Sequence, residues 1–213
     1  MRFKKNRLIP AAAAALWLFM VAVGVGALWS YESTPGVGAS APGMWPTASS
    51  IKPDAERATL VMLAHPHCPC TRASINELAR LMTQAQGRVT AYVLFVKPRG
   101  FSDGWVQSDL WESAAAIPGV TPVLDGGGAD ADLFHAETSG QTVLYDAAGN
   151  LLFRGGITSA RGHAGDNAGR TAIVSLLTSD GTEARDTPVF GCPLFARKEC
   201  SAGKEVGREK DAH

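Results

Sequence analysis

The sequence predicts a parallel α/β domain that follows a single transmembrane helix. Two short apolar runs, 59–64 and 89–96, have the nearly continuous hydrophobicity of strands that are covered on both faces. Each run precedes a segment with helical features, and this alternating order is typical of parallel sheets with right-handed crossovers. A third apolar run, at the N-terminus, has no charged residue and predicts the membrane helix.

The N-terminal run spans residues 8–29 and follows four basic residues within segment 1–7. At about 1.5 Å per residue it can cross a bilayer, and it exceeds the roughly 7 to 15 apolar residues of a cleaved signal peptide. An uncleaved anchor is therefore favoured, although Val25-Gly26-Ala27 resembles a cleavage site. Because basic flanks stay in the cytoplasm, we expect everything after the helix to face the periplasm, outside the inner membrane.

Length and charge indicate one domain of ordinary size and no nucleic-acid partner. The 213 residues include 20 basic and 20 acidic side chains, which cancel. Residues 30–54 are rich in Gly, Pro, Ser, Ala and Thr and are predicted to be a flexible linker. The folded domain is expected at 55–177, followed by a mostly polar extension, 178–213, that contains Cys192 and Cys200.

Apolar periodicity and turn residues define the remaining elements of the domain. Apolar residues repeat at helical spacing over 71–84, and Ser102 can cap a second helix that runs to about residue 117. The rest of the prediction is a brief strand at 122–125, a short helix at 129–137, a β-hairpin of strands 142–146 and 151–154 with its turn at Gly149 or Asn150, and a last helix over 167–177.

The reactive motif is Cys68-Pro69-Cys70, which lies between the first strand and its helix. The free N–H groups and the positive dipole end of a helix lower the pKa of a cysteine placed there, so it becomes a nucleophile. We expect Cys68 to attack and Cys70 to resolve, with His67 as a nearby imidazole that donates protons or stabilises the thiolate. A structural pair or two inert thiols is the alternative, and the position at a strand-to-helix junction favours function.

These features resemble the thioredoxin superfamily over roughly residues 55–177, through the dicysteine at a helix start and the hairpin that follows the crossover. Motifs at 67–70, 138–141, 155–158, 161–163 and 165–167 are most similar to bacterial membrane-anchored RedB-type thioredoxin-like proteins. The resemblance implies a three-layer thioredoxin-like α/β fold with a central mixed sheet. It also implies a thiol-disulfide oxidoreductase that needs no cofactor and acts on a protein or small-molecule thiol or disulfide.

Two departures from ordinary thioredoxins are visible. The motif is Cys-x-Cys, and Gln141 stands where thioredoxins usually carry a cis-proline that presents backbone to an extended substrate, so general protein disulfide exchange is less expected. A disulfide between Cys68 and Cys70 closes a tight ring, which strains the bond and makes it easy to reduce. That favours an oxidant or an isomerase over a strong reductant.

A metal site is the competing interpretation of the same segment. His65, His67, Cys68 and Cys70 are ligand types that suit Cu(I) or Zn(II), although the intervening prolines restrict how they converge. A metal-binding or metal-delivery protein is therefore the second functional class, and a redox-inactive binding module of the same fold is the third.

Three further residues have open roles. His163 lies in a Gly-rich loop after the hairpin, where polar residues are most often solvated; the functional alternative folds this loop over the cysteines, with His163 as proton donor or third metal ligand. Cys192 and Cys200 most simply form a structural disulfide. Alternatively, Cys192 resolves a mixed disulfide with Cys68 or Cys70, and spacing alone cannot choose among the pairings.

Overall fold

The computed structural model describes residues 5–38, 40–178 and 185–195. Helix α1 (Lys5–Ser33) contains the N-terminal apolar run, and most of the predicted cytoplasmic segment 1–7 lies outside the described residues. Within the described chain, Ile9–Ser33 is the one helical stretch long and apolar enough to cross a membrane, and its large apolar side chains are exposed. The predicted anchor is therefore a continuous helix of suitable length and composition.

Among the described residues, six strands form one mixed sheet. They are β1 (Ala58–Ala64), β2 (Val89–Lys97), β3 (Val120–Gly126), β4 (Gln141–Tyr145), β5 (Leu151–Gly156) and β6 (Arg185–Asp186). Their order across the sheet is β3-β2-β1-β4-β5-β6. β1, β2 and β3 are parallel, β4 is antiparallel to both β1 and β5, and β6 is parallel to β5.

The sheet is covered on both faces because alternate residues of its central strand enter two different cores. Leu60 and Met62 of β1 pack with α2 (Pro69–Gln84), α3 (Asp109–Ala115) and α5 (Ala168–Thr178). Val61 and Leu63 enter the core of the opposite face, together with α4 (Ala129–Leu133). The β1-α2-β2 unit beside the β4-β5-α5 unit gives a three-layer, thioredoxin-like arrangement, which confirms the predicted fold class.

The predicted helix over 102–117 is interrupted in the structure. A 3₁₀-helical turn, Asp103–Trp105, comes first, and α3 begins only after Ser108, whose backbone is extended (φ −95°, ψ 172°). Val106 between them is fully buried, and the Trp105 carbonyl binds the His67 ring nitrogen at 2.9 Å. The helix is broken here because tertiary contacts hold these residues in another conformation.

The hairpin is confirmed, whereas α4 is shorter than the predicted helix 129–137. Gly149 has the positive φ that the turn requires (85°), and the Asp146 carboxylate accepts the Asn150 N–H at 2.7 Å. α4 ends at Leu133 because His135 adopts a left-handed conformation (φ 52°), which stops an α-helix.

Much of the predicted flexible linker 30–54 packs against the domain instead. The Trp45 ring lies edge-on to Phe134 and Tyr145, with ring centroids 5.3 and 5.2 Å apart. The hydroxyl groups of Ser49 and Ser50 donate to the buried Asp130 carboxylate at 2.6 and 2.5 Å. The composition of this segment is typical of a linker, but these few side chains hold it on the sheet.

The C-terminal extension 178–213 also contributes to the fold. β6 pairs with β5 and forms the edge of the sheet, and Val189, Phe190 and Leu194 are buried. Cys200 and the residues after it lie outside the described residues, so the predicted Cys192–Cys200 disulfide stays a prediction. Residues 185–195 therefore belong to the domain, and they bring Cys192 to the start of α2.

Candidate functional site

The dicysteine motif lies where β1 ends and α2 begins, as its sequence position predicts. Cys68 is the N-cap of α2, with extended backbone (φ −87°, ψ 120°), and Pro69 occupies the first turn, where its missing N–H is not needed. Cys70 follows one residue later in the same turn. Both sulfurs therefore lie at the helix end that carries the unpaired N–H groups.

A third thiol completes the site. The sulfur atoms of Cys68 and Cys192 lie 2.8 Å apart and share a hydrogen bond, although 124 positions separate these residues in the chain. The sulfurs of Cys68, Cys70 and Cys192 all lie within 4.8 Å of one another. No bond joins any two of these three sulfurs, and Cys68 is only 2% exposed whereas the other two residues are half-buried.

Backbone contacts on both sides of Cys192 hold it in this position. The Ser139 N–H donates to the Cys192 carbonyl at 2.8 Å, and the Leu194 N–H donates to the Glu137 carbonyl at 2.9 Å. Gly191 packs so closely on Ser139 that a Cβ at this position would overlap the Ser139 carbonyl oxygen. The segment is therefore fixed against the loop that precedes β4.

The surroundings of Cys68 favour its thiolate. Burial raises the pKa of Cys68, but hydrogen bonds from the Cys192 thiol, the Cys192 N–H, and the N–H and hydroxyl of Thr71 outweigh burial, so its pKa is lowered overall. The Thr71 hydroxyl lies 2.7 Å from the Ser139 hydroxyl, which also accepts the His65 N–H at 2.9 Å. The donors around Cys68 thus belong to one network.

The other two thiols retain their protons. Burial and then the neighbouring Cys68 raise the pKa of Cys70. Burial and then the hydrogen bond with Cys68 raise the pKa of Cys192 to about 12. The Arg161 guanidinium opposes both increases and donates a hydrogen bond to the Gly191 carbonyl. One thiol of lowered pKa beside two thiols of raised pKa is the arrangement that exchange chemistry requires.

The two histidines before the motif lie against the Trp105 ring. The His67 Nε2 binds the Trp105 carbonyl at 2.9 Å, and the His65 Nδ1 accepts the His67 N–H at 3.2 Å. Burial, followed by the charge of His67, lowers the pKa of His65. Among the described residues, the group that could hold a metal ion contains the three thiols and neither histidine. The structure therefore does not join His65 and His67 to the sulfurs as ligands.

The His163 side chain is exposed to solvent. Its Nδ1 lies 3.0 Å from the Arg161 carbonyl, and its Nε2 lies 4.0 Å from the Glu32 carboxylate at the end of α1. From this loop the side chain that comes close to the sulfurs is Arg161, which also lies 5.0 Å above the Tyr31 ring. Within this loop it is therefore the charge of Arg161, and not the His163 ring, that acts on the Cys70 and Cys192 thiols.

A buried carboxylate fixes the base of that loop to α2. Glu77, fully buried, accepts the Gly165 N–H at 2.8 Å and the Asn167 side-chain N–H at 3.0 Å, and it pairs with Arg170 at 2.9 Å. Glu77 therefore supports the position of Arg161 through the loop and does not touch the sulfurs.

Gln141, where a cis-proline is usual in thioredoxins, is the first residue of β4 and is fully buried. No cis peptide occurs in the part of the chain that the structure describes. Ser139 and Gly140 lie next to the motif instead, because the Gly140 N–H donates to the Leu63 carbonyl at 2.7 Å.

Sequence reasoning did not assign roles to Thr71, Ser139 or Arg161. Thr71 follows directly after Cys70, and a hydroxyl in the first turn of a helix is a local signal that could have been used. Ser139 and Arg161 come from distant loops, and nothing in the local sequence marks them as neighbours of Cys68.

Comparisons with known proteins support the fold. No protein-family model matches the chain, and no curated protein matches it. An uncharacterized conserved protein from Geobacillus kaustophilus has a TM-score of 0.56 and 17% identity, with 78% of this chain and 94% of that chain covered. A hypothetical protein from Sinorhizobium meliloti has a TM-score of 0.52 and 18% identity, with 76% and 93% covered. An exposed lipoprotein thioredoxin from Streptococcus pneumoniae (Etrx1) has a TM-score of 0.41 and 12% identity, with 58% and 85% covered.

Identities this low show similarity of fold alone. The strand order and strand directions are those of an α/β protein of thioredoxin-like fold, and the chain places three thiols at the start of α2.

Proposed function

We propose that the protein is a membrane-anchored, extracytoplasmic thiol-disulfide oxidoreductase of the RedB type, in which Cys68 supplies the attacking thiolate. The observation that supports this proposal is the 2.8 Å separation of the Cys68 and Cys192 sulfurs, in surroundings that lower the pKa of Cys68. A disulfide bond of about 2.05 Å is a short approach away. Exchange of this kind needs no cofactor, and its substrate is a thiol or disulfide of a protein or a small molecule.

The neighbouring side chains have distinct parts in this proposal. In this proposal Cys68 is the thiolate of the exchange reaction, and Cys70 and Cys192 are the two candidates for the thiol that forms a disulfide with it. His67 is exposed next to the motif, and its Nε2 is engaged with the Trp105 carbonyl. The proposal does not use His163, whose ring lies against Arg161 and Glu32.

A redox titration tests this proposal. The detergent-solubilised full chain is equilibrated in buffers of reduced and oxidised glutathione, quenched with acid, and its free thiols are counted. We expect one reversible two-electron couple that is absent in Cys68→Ser, because this variant lacks the thiolate. A wild-type chain whose thiol count does not change across the buffers would contradict the proposal.

Metal binding is the second candidate, since three thiols within 4.8 Å suit a soft ion. Cys68, Cys70 and Cys192 fit Cu(I) better than Zn(II), because structural zinc sites usually take four protein ligands. The close pair disfavours either ion: ligand sulfurs at about 2.3 Å from one Zn²⁺ lie farther apart than 2.8 Å. Tight one-to-one retention of Cu(I) by the reduced chain, without a two-electron couple, would favour this second function.

The location of the site beyond a membrane helix is part of the proposal. The Arg161 N–H donates to the Glu32 carbonyl at 3.0 Å, so the loop that carries Arg161 contacts the C-terminal end of α1. The basic segment 1–7 favours a cytoplasmic N-terminus. We expect a reporter fused after Leu177 to be active only outside the cytoplasm, and the protein to remain in membranes after a high-salt wash. A soluble mature form that begins near Leu28 would contradict the anchor.

A further inference from the structure

We propose that Cys68 and Cys192 form the redox-active disulfide, with Cys192 as the sulfur that exchanges with substrate and Cys68 as the buried thiolate that leaves and returns. This inference rests on the proposed oxidoreductase function and specifies which sulfurs carry it.

Geometry favours this pair over Cys68 and Cys70. Cys68 and Cys70 flank Pro69 in the first turn of α2, and a disulfide between them would close a small ring around a proline of fixed φ. Cys192 comes from a separate segment, so no small ring constrains its approach, and its sulfur already lies 2.8 Å from that of Cys68. The fold has therefore brought together the less strained pair.

The segment that carries Cys192 is built to keep it there. Hydrogen bonds join it to the loop before β4 at two places, from the Ser139 N–H to the Cys192 carbonyl and from the Leu194 N–H to the Glu137 carbonyl. The Gly36 N–H also donates to the Val189 carbonyl at 2.8 Å, and Phe190 is buried. A sulfur held this firmly needs no large ordering of the chain before a bond can form.

Access and leaving-group chemistry assign the two roles. Cys68 is 2% exposed, whereas Cys192 is half-buried, so an incoming thiolate reaches the Cys192 sulfur first. Disulfide exchange is faster when the departing sulfur is the more stable thiolate. Cys68 is that sulfur, because the Thr71 and Cys192 N–H groups and the Thr71 hydroxyl stabilise its negative charge.

The reaction balances as an oxidation of a substrate dithiol. One substrate thiolate, its proton lost to solvent, attacks the Cys192 sulfur; the Cys68–Cys192 bond breaks and its electron pair leaves on Cys68. The second substrate thiol then attacks the substrate sulfur of this mixed disulfide, and its proton passes to the departing Cys192. The substrate has lost two electrons, and the protein holds a Cys68 thiolate and a Cys192 thiol. An external disulfide as oxidant restores the protein. The Cys192 sulfur attacks this disulfide and its proton passes to the first sulfur released; the Cys68 thiolate then attacks Cys192 in the resulting mixed disulfide and expels the second sulfur as a thiolate.

Trypsin separates the possible bonds by peptide. Cys68 and Cys70 share peptide 58–72, Cys192 lies in 186–197, and Cys200 lies in 199–204. We expect the full chain oxidised by glutathione disulfide to contain 58–72 joined to 186–197, and Cys70→Ser to retain this cross-link. Closure of 58–72 on itself with a free Cys192, or a permanent link between 186–197 and 199–204, overturns the inference.

Titration of the oxidised chain with reduced glutathione tests the roles. The acid-quenched mixed disulfide should be on 186–197, at least tenfold in excess over 58–72, in the wild type and in Cys70→Ser. Glutathione on 58–72 in Cys70→Ser reverses the roles and overturns the inference, although exchange chemistry persists. Absence of any glutathione-dependent change at any cysteine overturns the proposed function itself, so the two failures are distinguishable.

Discussion

Gly191→Ala perturbs the position of Cys192 without changing a sulfur. The new Cβ would overlap the Ser139 carbonyl oxygen and lie 2.9 Å from its carbon. Neither segment can move away freely, because the Ser139 N–H donates to the Cys192 carbonyl at 2.8 Å. Overpacking of this kind destabilises the folded state by about 1 to 3 kcal/mol. Replacing a glycine also restricts the unfolded chain, which stabilises the folded state by about 0.4 to 1 kcal/mol. We expect a net loss in the free energy of unfolding of about 1 to 2 kcal/mol.

The kinetic effect of this substitution should be larger. A displacement of about 1 Å at a reacting group costs roughly 10²-fold in rate, so closure of the Cys68–Cys192 bond should slow by about that factor. The assay is the rate at which peptides 58–72 and 186–197 become linked after oxidant is added to the folded protein. Gly43→Ala is the matched control, because a Cβ there meets nothing within 4 Å. Equal closure rates in the two variants would refute the reasoning.

Two further predictions concern the scaffold and are measured by urea unfolding. Glu77→Ala should lower the free energy of unfolding by about 3 to 5 kcal/mol, because Arg170, whose side chain is only 12% exposed, loses its buried partner. Asp166→Ala is the control, since Asp166 is the fully exposed partner of the same Arg170. This substitution should change the free energy of unfolding by less than about 0.5 kcal/mol. Tyr145→Phe should cost about 1 kcal/mol through the lost 2.9 Å hydrogen bond to the Pro42 carbonyl, and equal stability of this variant and the wild type would argue against packing of the 40–54 segment on the sheet.

The fold was largely predictable because its signals are local. The apolar run that becomes β1 and the motif that opens α2 are adjacent in sequence, and the position of Cys68 at a helix N-terminus already predicts the direction of its pKa shift. Additional hydrogen bonds from Thr71 and Cys192 act in the same direction. Local pattern and tertiary surroundings agree at this residue.

The site was only half predictable because its other half comes from distant segments. The partner of Cys68 is 124 positions away, in a stretch whose surroundings read as a polar extension. Trp45 lies in a Gly- and Pro-rich segment whose average composition hides one aromatic anchor on Phe134 and Tyr145. The residue composition of a segment is an average over many positions, whereas a single buried ring or one well-placed thiol decides where that segment lies in the fold.

The pH dependence of Cys68 alkylation in the reduced full chain tests the central claim most directly. Because the pKa of Cys68 is lowered, its thiolate should persist at pH values where an ordinary thiol, of pKa about 8.5, is protonated, and reactivity should fall only as pH drops through the lowered value. Burial slows the reaction, but the midpoint of the profile reports the thiolate fraction. We predict first modification of peptide 58–72 at Cys68 with a midpoint below that of an ordinary thiol, while Cys192 stays unmodified until far more alkaline pH. A Cys68 midpoint at or above that of an ordinary thiol, or earlier alkylation of Cys70, would contradict the account.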